Sequence, residues 1–424
     1  MKKLLALLLA CGMLFSLCAC GQNAVPPKAP AASGEAQLLT AKLIPHVPDT
    51  ACETQGFHFD CAAAATDFAL RLLLQQTDDS ALLSPVSILY ALAMTMNGAE
   101  GDTLQQMEDT LGLSRDDLNV FLSGYLRSLP EAADDAKLHI ADSLWLRNEE
   151  NRLHPNEDFL QTNVDYYDAE IFSAPFDSGT CGDINSWVSD HTDGMIPKVL
   201  DAIPAEAVMY LINALCFDAK WQTVYQEHQV SEGIFHGKDS DTSCSFMHSE
   251  EFGYLSDAHA SGFLKYYRGG SYAFAALLPE EGMAPADYVA SLTGDSLRRT
   301  LVQAQDVPVM ASLPQFSSAC TYELSDVLAG MGMPDLFDSN ACDLTGLGTS
   351  EAGNIFVSRV IHKTHIDVDT EGTRAAAATV VEACDEACAE WTEVQEVILD
   401  RPFVYLLIDT DTMLPLFIGT CLNV

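Results

Sequence analysis

Positive charge is scarce in this chain. Of its 424 residues, 21 are Lys or Arg against 61 Asp or Glu, a formal net charge of −40. A surface so biased repels nucleic acid, heparin-like polyanions and anionic headgroups. No Lys/Arg cluster offsets it, so neither a nucleic-acid partner nor a polyanion site is expected. Signatures of hydrolases are missing as well. There is no Gly-x-Ser-x-Gly, no His-Glu-x-x-His and no phosphate-binding Gly loop, and His248-Ser249-Glu250-Glu251 lacks the spacing of a metal motif. The 13 Cys include no Cys-x-x-Cys, and Cys384 and Cys388 stand alone. Neither a metal nor a cofactor is expected, and the chain does not read as an enzyme.

Long apolar runs are confined to the N-terminus. Met1-Lys2-Lys3 followed by Leu4 to Leu17 has the charged and apolar regions of a signal peptide, too short for a comfortable membrane span. Leu17-Cys18-Ala19-Cys20 matches a lipoprotein box, which makes 1–19 a signal peptide and Cys20 the acylated first residue of the mature chain. The expected location is outside the cell, anchored by lipid alone to the outer face of a bacterial membrane. From Cys20 to about residue 50 the chain turns to Pro, Ala, Ser and Gly, as in Pro26-Pro27-Lys28-Ala29-Pro30, and reads as a semi-rigid spacer.

Residues 51–424 show no second linker, repeat or low-complexity break, so they read as one domain despite their length. A first helix carries Cys61, Ala64, Ala65, Phe68 and Leu72 at helical spacing. Pro85 suits a helix start, with Ser84 before it as cap. Ten Cys lie in this body. Most of them, such as Cys216 in Leu215-Cys216-Phe217, sit in apolar runs and read as small core hydrophobes.

The most informative stretch is Glu371-Gly372-Thr373-Arg374-Ala375-Ala376-Ala377-Ala378-Thr379. Four consecutive Ala would by themselves read as a helix start. Their surroundings argue otherwise. A strand pattern over Val357–Val368 precedes them, an acidic segment follows, and then come the buried strands of Asp400–Ile408 and Leu416–Gly419. This order resembles the serpin superfamily. So do Leu82-Leu83-Ser84-Pro85-Val86-Ser87-Ile88, Trp187 to Ile196, Leu211-Ile212-Asn213-Ala214 with Lys220-Trp221, Leu313-Pro314-Gln315-Phe316 and Asp335-Leu336-Phe337, all in the same order along the chain.

The resemblance implies one α+β domain of three β-sheets and eight or nine helices, carrying an exposed reactive-centre loop at about 371–397. It implies covalent, suicide-type inhibition of a serine protease (a cysteine protease is a chemically related target) by a monomer. The cleaved loop would insert as a new strand of a large sheet. Glu371 to Thr379 would be its hinge, with Thr373, Ala375, Ala377 and Thr379 small enough to face inward, and Arg374, Ala376 and Ala378 pointing out. Gly372 would give backbone freedom at the turn. Ser84, Ser87, Asn213 and His362 map to a polar cluster under the seam where strands part. Trp221 maps to the point where the loop first enters.

In inhibitory members of the family this chain resembles, the distance from hinge glycine to scissile residue is nearly fixed. Fourteen residues beyond Gly372 lies Glu386, so the resemblance implies a reactive bond at Glu386–Ala387, with Ala387–Cys388 next. Counting back from Arg401-Pro402-Phe403 gives Trp391 instead. No Lys or Arg lies between Arg374 and Arg401, so the expected targets are elastase-like, subtilisin-like or Glu-preferring proteases and not trypsin-like ones. Cys384 and Cys388 flank the bond. In an extended chain they stand about 13 Å apart, too far to bridge, whereas a turn would let them form a redox-sensitive pair. A non-inhibitory member acting as carrier or scaffold would share the fold. Such members often carry bulky, charged or Pro residues in the hinge, and the inward-facing positions Thr373, Ala375, Ala377 and Thr379 of this chain do not.

Overall fold

The computed structural model describes residues 36–46, 55–76, 79–129, 136–148, 153–205, 207–351, 353–373 and 394–424. Among these are nine α-helices and three sheets, an α+β fold.

A seven-stranded sheet runs in the order Gln37–Leu38, Glu170–Ala174, Ala136–Arg147, Met209–Lys220, Gly372–Thr373, Arg359–Val368 and Phe316–Glu323. A nine-stranded sheet runs Gln395–Ile398, Gln305–Pro314, Asp241–Ser256, Ala260–Tyr266, Tyr272–Pro279, Phe403–Asp409, Pro415–Cys421 and Ala81–Leu83, with Val230–His236 paired beside Asp241–Ser256. Leu153–Pro155 and Gly348–Ser350 form a small third sheet.

Each strand's pattern follows its burial. Phe403–Asp409 reads Phe-Val-Tyr-Leu-Leu-Ile-Asp and is buried at every residue, as a strand covered on both faces should be. Phe316–Glu323 alternates half-buried and exposed residues, as expected of an edge strand with one wet face. The main core lies between the two large sheets. It includes Leu144, Leu211 and Phe217 from one and Phe263, Leu277 and Leu407 from the other. Through it runs the helix Pro85–Met96, all of whose residues are buried. A second cluster lies on the other face of the seven-stranded sheet. There Trp187 and Val188 of the helix Ser178–His191 share a cluster with Tyr210, Ile212 and Ile361.

Two sequence expectations need correction. The spacer does not continue to residue 50. Gln37–Leu38 pairs with Phe172 and Ser173 as an edge strand, and the Leu39 N–H donates to the Ile171 carbonyl at 2.7 Å. The reason is backbone pairing: two residues suffice to satisfy an otherwise open sheet edge. Ser84 does occupy the residue before the helix, but its side chain makes no capping bond, because its hydroxyl is fully buried beside the sheet. Cys61, Cys181, Cys342 and Cys421 are buried, consistent with their reading as small core residues.

Leu407 is fully buried in the strand Phe403–Asp409. Leu407→Ala is expected to destabilise the native state by about 2–5 kcal/mol through lost transfer energy and a cavity, read as a lower urea midpoint of the first unfolding transition.

Candidate functional site: an open seam in the seven-stranded sheet

The strands Met209–Lys220 and Arg359–Val368 are neighbours along only part of their length. At one end they pair in parallel, Arg359 to Tyr210, Val360 to Leu211 and Ile361 to Ile212. At the other end Gly372–Thr373 lies between them, antiparallel to both. Gly372 faces Lys220, and Thr373 faces Ala219 on one side and Val368 on the other. Between these ends, residues 213–218 and 362–367 have no ladder partner across the seam among the described residues. Among the described residues each strand there pairs with its outer neighbour alone, Ala136–Arg147 or Phe316–Glu323. The seam therefore presents two strand edges inside a sheet, which is a template for one more strand.

The turn that feeds this seam is tightly held. The Asp369 carboxylate accepts the N–H groups of Glu371 (2.8 Å) and Gly372 (3.1 Å), and the Asp369 N–H donates to the Gly372 carbonyl (3.1 Å). Such a turn suits Asp, whose short side chain caps its own backbone. Gly372 is needed here for closeness and not for an unusual backbone angle. A Cβ at this position would stand 2.1 Å from the Ala219 carbonyl oxygen, and Gly372 is absent from the positive-φ glycines. This corrects the expectation that it serves as a freely rotating joint.

Trp221 is fully buried, stacked on Tyr267 with ring centres 4.5 Å apart. Its backbone N–H donates to the Glu371 carbonyl at 2.9 Å, and its indole N–H donates to the Asp369 carbonyl at 2.8 Å. Tyr225 adds a bond from its N–H to the Thr370 carbonyl at 3.0 Å. Thr373 points inward, its hydroxyl 2.5 Å from the Tyr267 hydroxyl, and burial raises the Tyr267 phenol far above its usual range.

At the far end of the open stretch, the Ser84 N–H donates to His362 Nε2 at 3.0 Å, which puts the ring proton on Nδ1. Thr364 donates to the Leu82 carbonyl at 2.8 Å. His362 is 2 % exposed, and burial depresses its pKa to about 3, so the ring is neutral at ordinary pH. Ser87 is buried on the first turn of the helix, with no bond to this group among the described contacts. Asn213 is the first residue past the paired stretch and stands opposite Asp142 on the neighbouring strand. Its side chain lies outside the described residues, as do Cys20, Arg374 to Thr379, Cys384, Glu386, Ala387 and Cys388.

Several residues of this region were not singled out from sequence: Asp369, Tyr225, Tyr267 and the buried ion pair of Lys265 with Glu251. Asp369 carried a readable signal, a turn-forming residue just before Glu371-Gly372. Lys265 carried another, a lone cation inside the apolar run Phe263-Leu264-Lys265-Tyr266-Tyr267, since a charge in such a place needs a partner.

Comparison with known proteins agrees with this geometry. Residues 63–424 match the family model described as Serpin (serine protease inhibitor), and the chain belongs to that family. It is 30% identical over 359 residues to Iris of Ixodes ricinus, covering 82% of this chain and 93% of that one. It is likewise 30% identical over 382 residues to the leukocyte elastase inhibitor of Bos taurus, covering 84% and 98%. The crystal structure of the thermophilic serpin tengpin in its native state superposes with a TM-score of 0.85 at 40% identity, covering 92% of this chain and 100% of that one. Family membership supports protease inhibition as the general activity, with a protease as the partner.

Two outcomes are expected at the seam. Gly372→Val would force its side chain against the Ala219 carbonyl and expel the dipeptide, read as faster amide exchange at Ala219 and Trp221. Acid should loosen the fold through His362. Its folded pKa is depressed, so its contribution is complete above pH 6.5 and declines towards pH 3, by about 1.4 kcal/mol per pH unit. In His362→Gln, urea midpoints measured across that window should fall less steeply with acid than in the parent.

Proposed function

We propose that this protein is a covalent, loop-inserting inhibitor of serine proteases that are not trypsin-like. The observation that carries the reading is the open seam with Gly372–Thr373 already in register at its mouth. Extending that antiparallel register by single steps sets residues 374–379 against 218–213 on one strand and 367–362 on the other. Six residues meet six open positions on each side. Alternation from the inward Thr373 turns Ala375, Ala377 and Thr379 to the core, and Thr379 arrives between Asn213 and His362.

The next three residues would replace the parallel pairs. Val380 falls between Ile212 and Ile361, members of the outer apolar cluster. Val381 falls between Leu211 and Val360 of the main core. Glu382 falls between Tyr210 and the cation Arg359, and Arg374, at the opposite end, falls between Asp218 and Asp367. Small, apolar and charged side chains thus each meet a matching site, as cross-strand pairing favours.

In this mechanism the protease's nucleophile attacks the loop carbonyl of Glu386 and releases Ala387 as the new N-terminus, leaving an acyl-enzyme. Insertion then carries the acylated protease along the sheet and distorts its oxyanion hole before water can attack. The stored energy is that of a kinetically trapped fold whose seam has not yet been filled. The absence of Lys and Arg from 375–400 excludes a basic scissile residue. Cys20, acylated, would hold the monomeric inhibitor at the outer surface of a bacterial membrane through the spacer.

Mixed with elastase, subtilisin and a Glu-specific protease, the soluble domain should give an SDS-stable band at the summed mass, and the released peptide should begin at Ala387. Trypsin should give none. Ala377→Glu, which puts a charge inward, should turn most of the inhibitor into a substrate. Clean cleavage of the parent by every protease, with no complex and no gain in heat stability, would remove the proposal. If Cys384 and Cys388 pair, oxidation would tether the insert and lower complex yield reversibly. Equal yields with and without reductant would dismiss that part alone.

A further inference from the structure

Behind the turn that feeds the seam lies a charged pair in an unusual place. Lys265, in the strand Ala260–Tyr266, has a side chain only 2% exposed, and its Nζ stands 2.5 Å from Oε1 of Glu251, itself 13% exposed. The Ser249 hydroxyl lies 2.6 Å from the same carboxylate oxygen and 3.3 Å from the Tyr225 hydroxyl. The ammonium sits over two rings, 4.3 Å from the centre of Tyr225 and 5.4 Å from that of Trp221. These are the residues whose backbones bond Thr370 and Glu371, and Trp221 also bonds Asp369 through its indole.

A buried ion pair is a poor device for stability, because desolvation of both charges offsets most of their attraction, and apolar isosteres often do as well. Its value here is positional. One cation braces two aromatic planes through cation–π contact. Those two residues fix three consecutive carbonyls of the turn, and the turn fixes Gly372–Thr373 between its neighbours. We infer that Lys265 and Glu251 are positioning residues which keep the first two residues of the inserting strand docked, so that insertion extends an existing ladder and does not have to nucleate one. The inference rests on the insertion reading above and adds to it the element that sets where and how readily insertion starts. Starting from a docked end matters because insertion competes with deacylation of the acyl-enzyme, and the nucleating step of strand pairing is the costly one.

The direction of the effect separates this role from a merely structural one. A variant that only weakens a kinetically trapped fold should insert its loop sooner. A variant that undocks the hinge should insert it later. The double variant Lys265→Met/Glu251→Gln removes both charges and leaves neither buried alone, and Lys265→Arg keeps the cation.

In the full domain, hydrogen exchange at Ala219, Trp221 and Thr373 should accelerate roughly tenfold in the double variant, the scale of a desolvated cation–π contact, with exchange in Phe403–Asp409 unchanged. Spontaneous conversion to a heat-resistant, loop-inserted form should slow. The stoichiometry of inhibition of subtilisin should rise, and Lys265→Arg should restore all three. Unchanged exchange at the hinge, or faster conversion, would overturn the inference. If the double variant does not fold, Glu251→Gln alone, which keeps the shape of the site, decides by the same exchange measurement. If the parent forms no complex with any protease, the proposed function fails, while exchange at the hinge still judges the anchor.

Discussion

The structure depends on a pairing left unmade. In an ordinary sheet each interior strand has its hydrogen bonds taken on both edges, and that saturation makes the sheet stiff and final. Here two interior strands touch over three residues, part over six, and are bridged again by a dipeptide borrowed from the following loop. The rest of the architecture surrounds this defect. A wholly buried helix supports the sheet from below, a second helix covers its outer face, and the nine-stranded sheet shares the main core with it.

The polar groups along the seam bond to backbone outside it. The neutral imidazole of His362 accepts one backbone N–H, and Thr364 donates to one backbone carbonyl, both from the segment that leads into the buried helix. These bonds satisfy buried groups without calling on the strand across the gap. At the mouth the arrangement is the reverse. Trp221, Tyr225 and Asp369 make several bonds to one short turn, so the place where a strand would begin is the best-fixed part of the seam.

Much of this was legible in the sequence. Fully apolar strands such as Phe403–Asp409 and the alternation of Phe316–Glu323 announce their own burial, and the small residues after Gly372 announce a tight fit. The seam was legible only through the family resemblance, because it is a relation between strands some 150 positions apart, and no local pattern states which strands will fail to meet. The role of Gly372 was misread for the same reason. A glycine required by a neighbour's carbonyl looks, in sequence, like one required by a turn. Lys265 and Glu251, both in strands of the other sheet, become intelligible only when the rings between them and the turn are in place.

An open slot between strand edges does not discriminate by origin. Any extended segment of the right side-chain rhythm can fill it, whether it belongs to the same molecule or to another. The two events differ in kinetic order. Filling by the molecule's own loop is unimolecular and independent of concentration, whereas filling by a second copy grows with the square of concentration. A body carrying a formal charge of −40 slows the second route by mutual repulsion, and does so most in dilute salt. The acidity that argues against a nucleic-acid partner would thus also slow filling of the seam by a second copy, with crowding and ionic strength setting the balance.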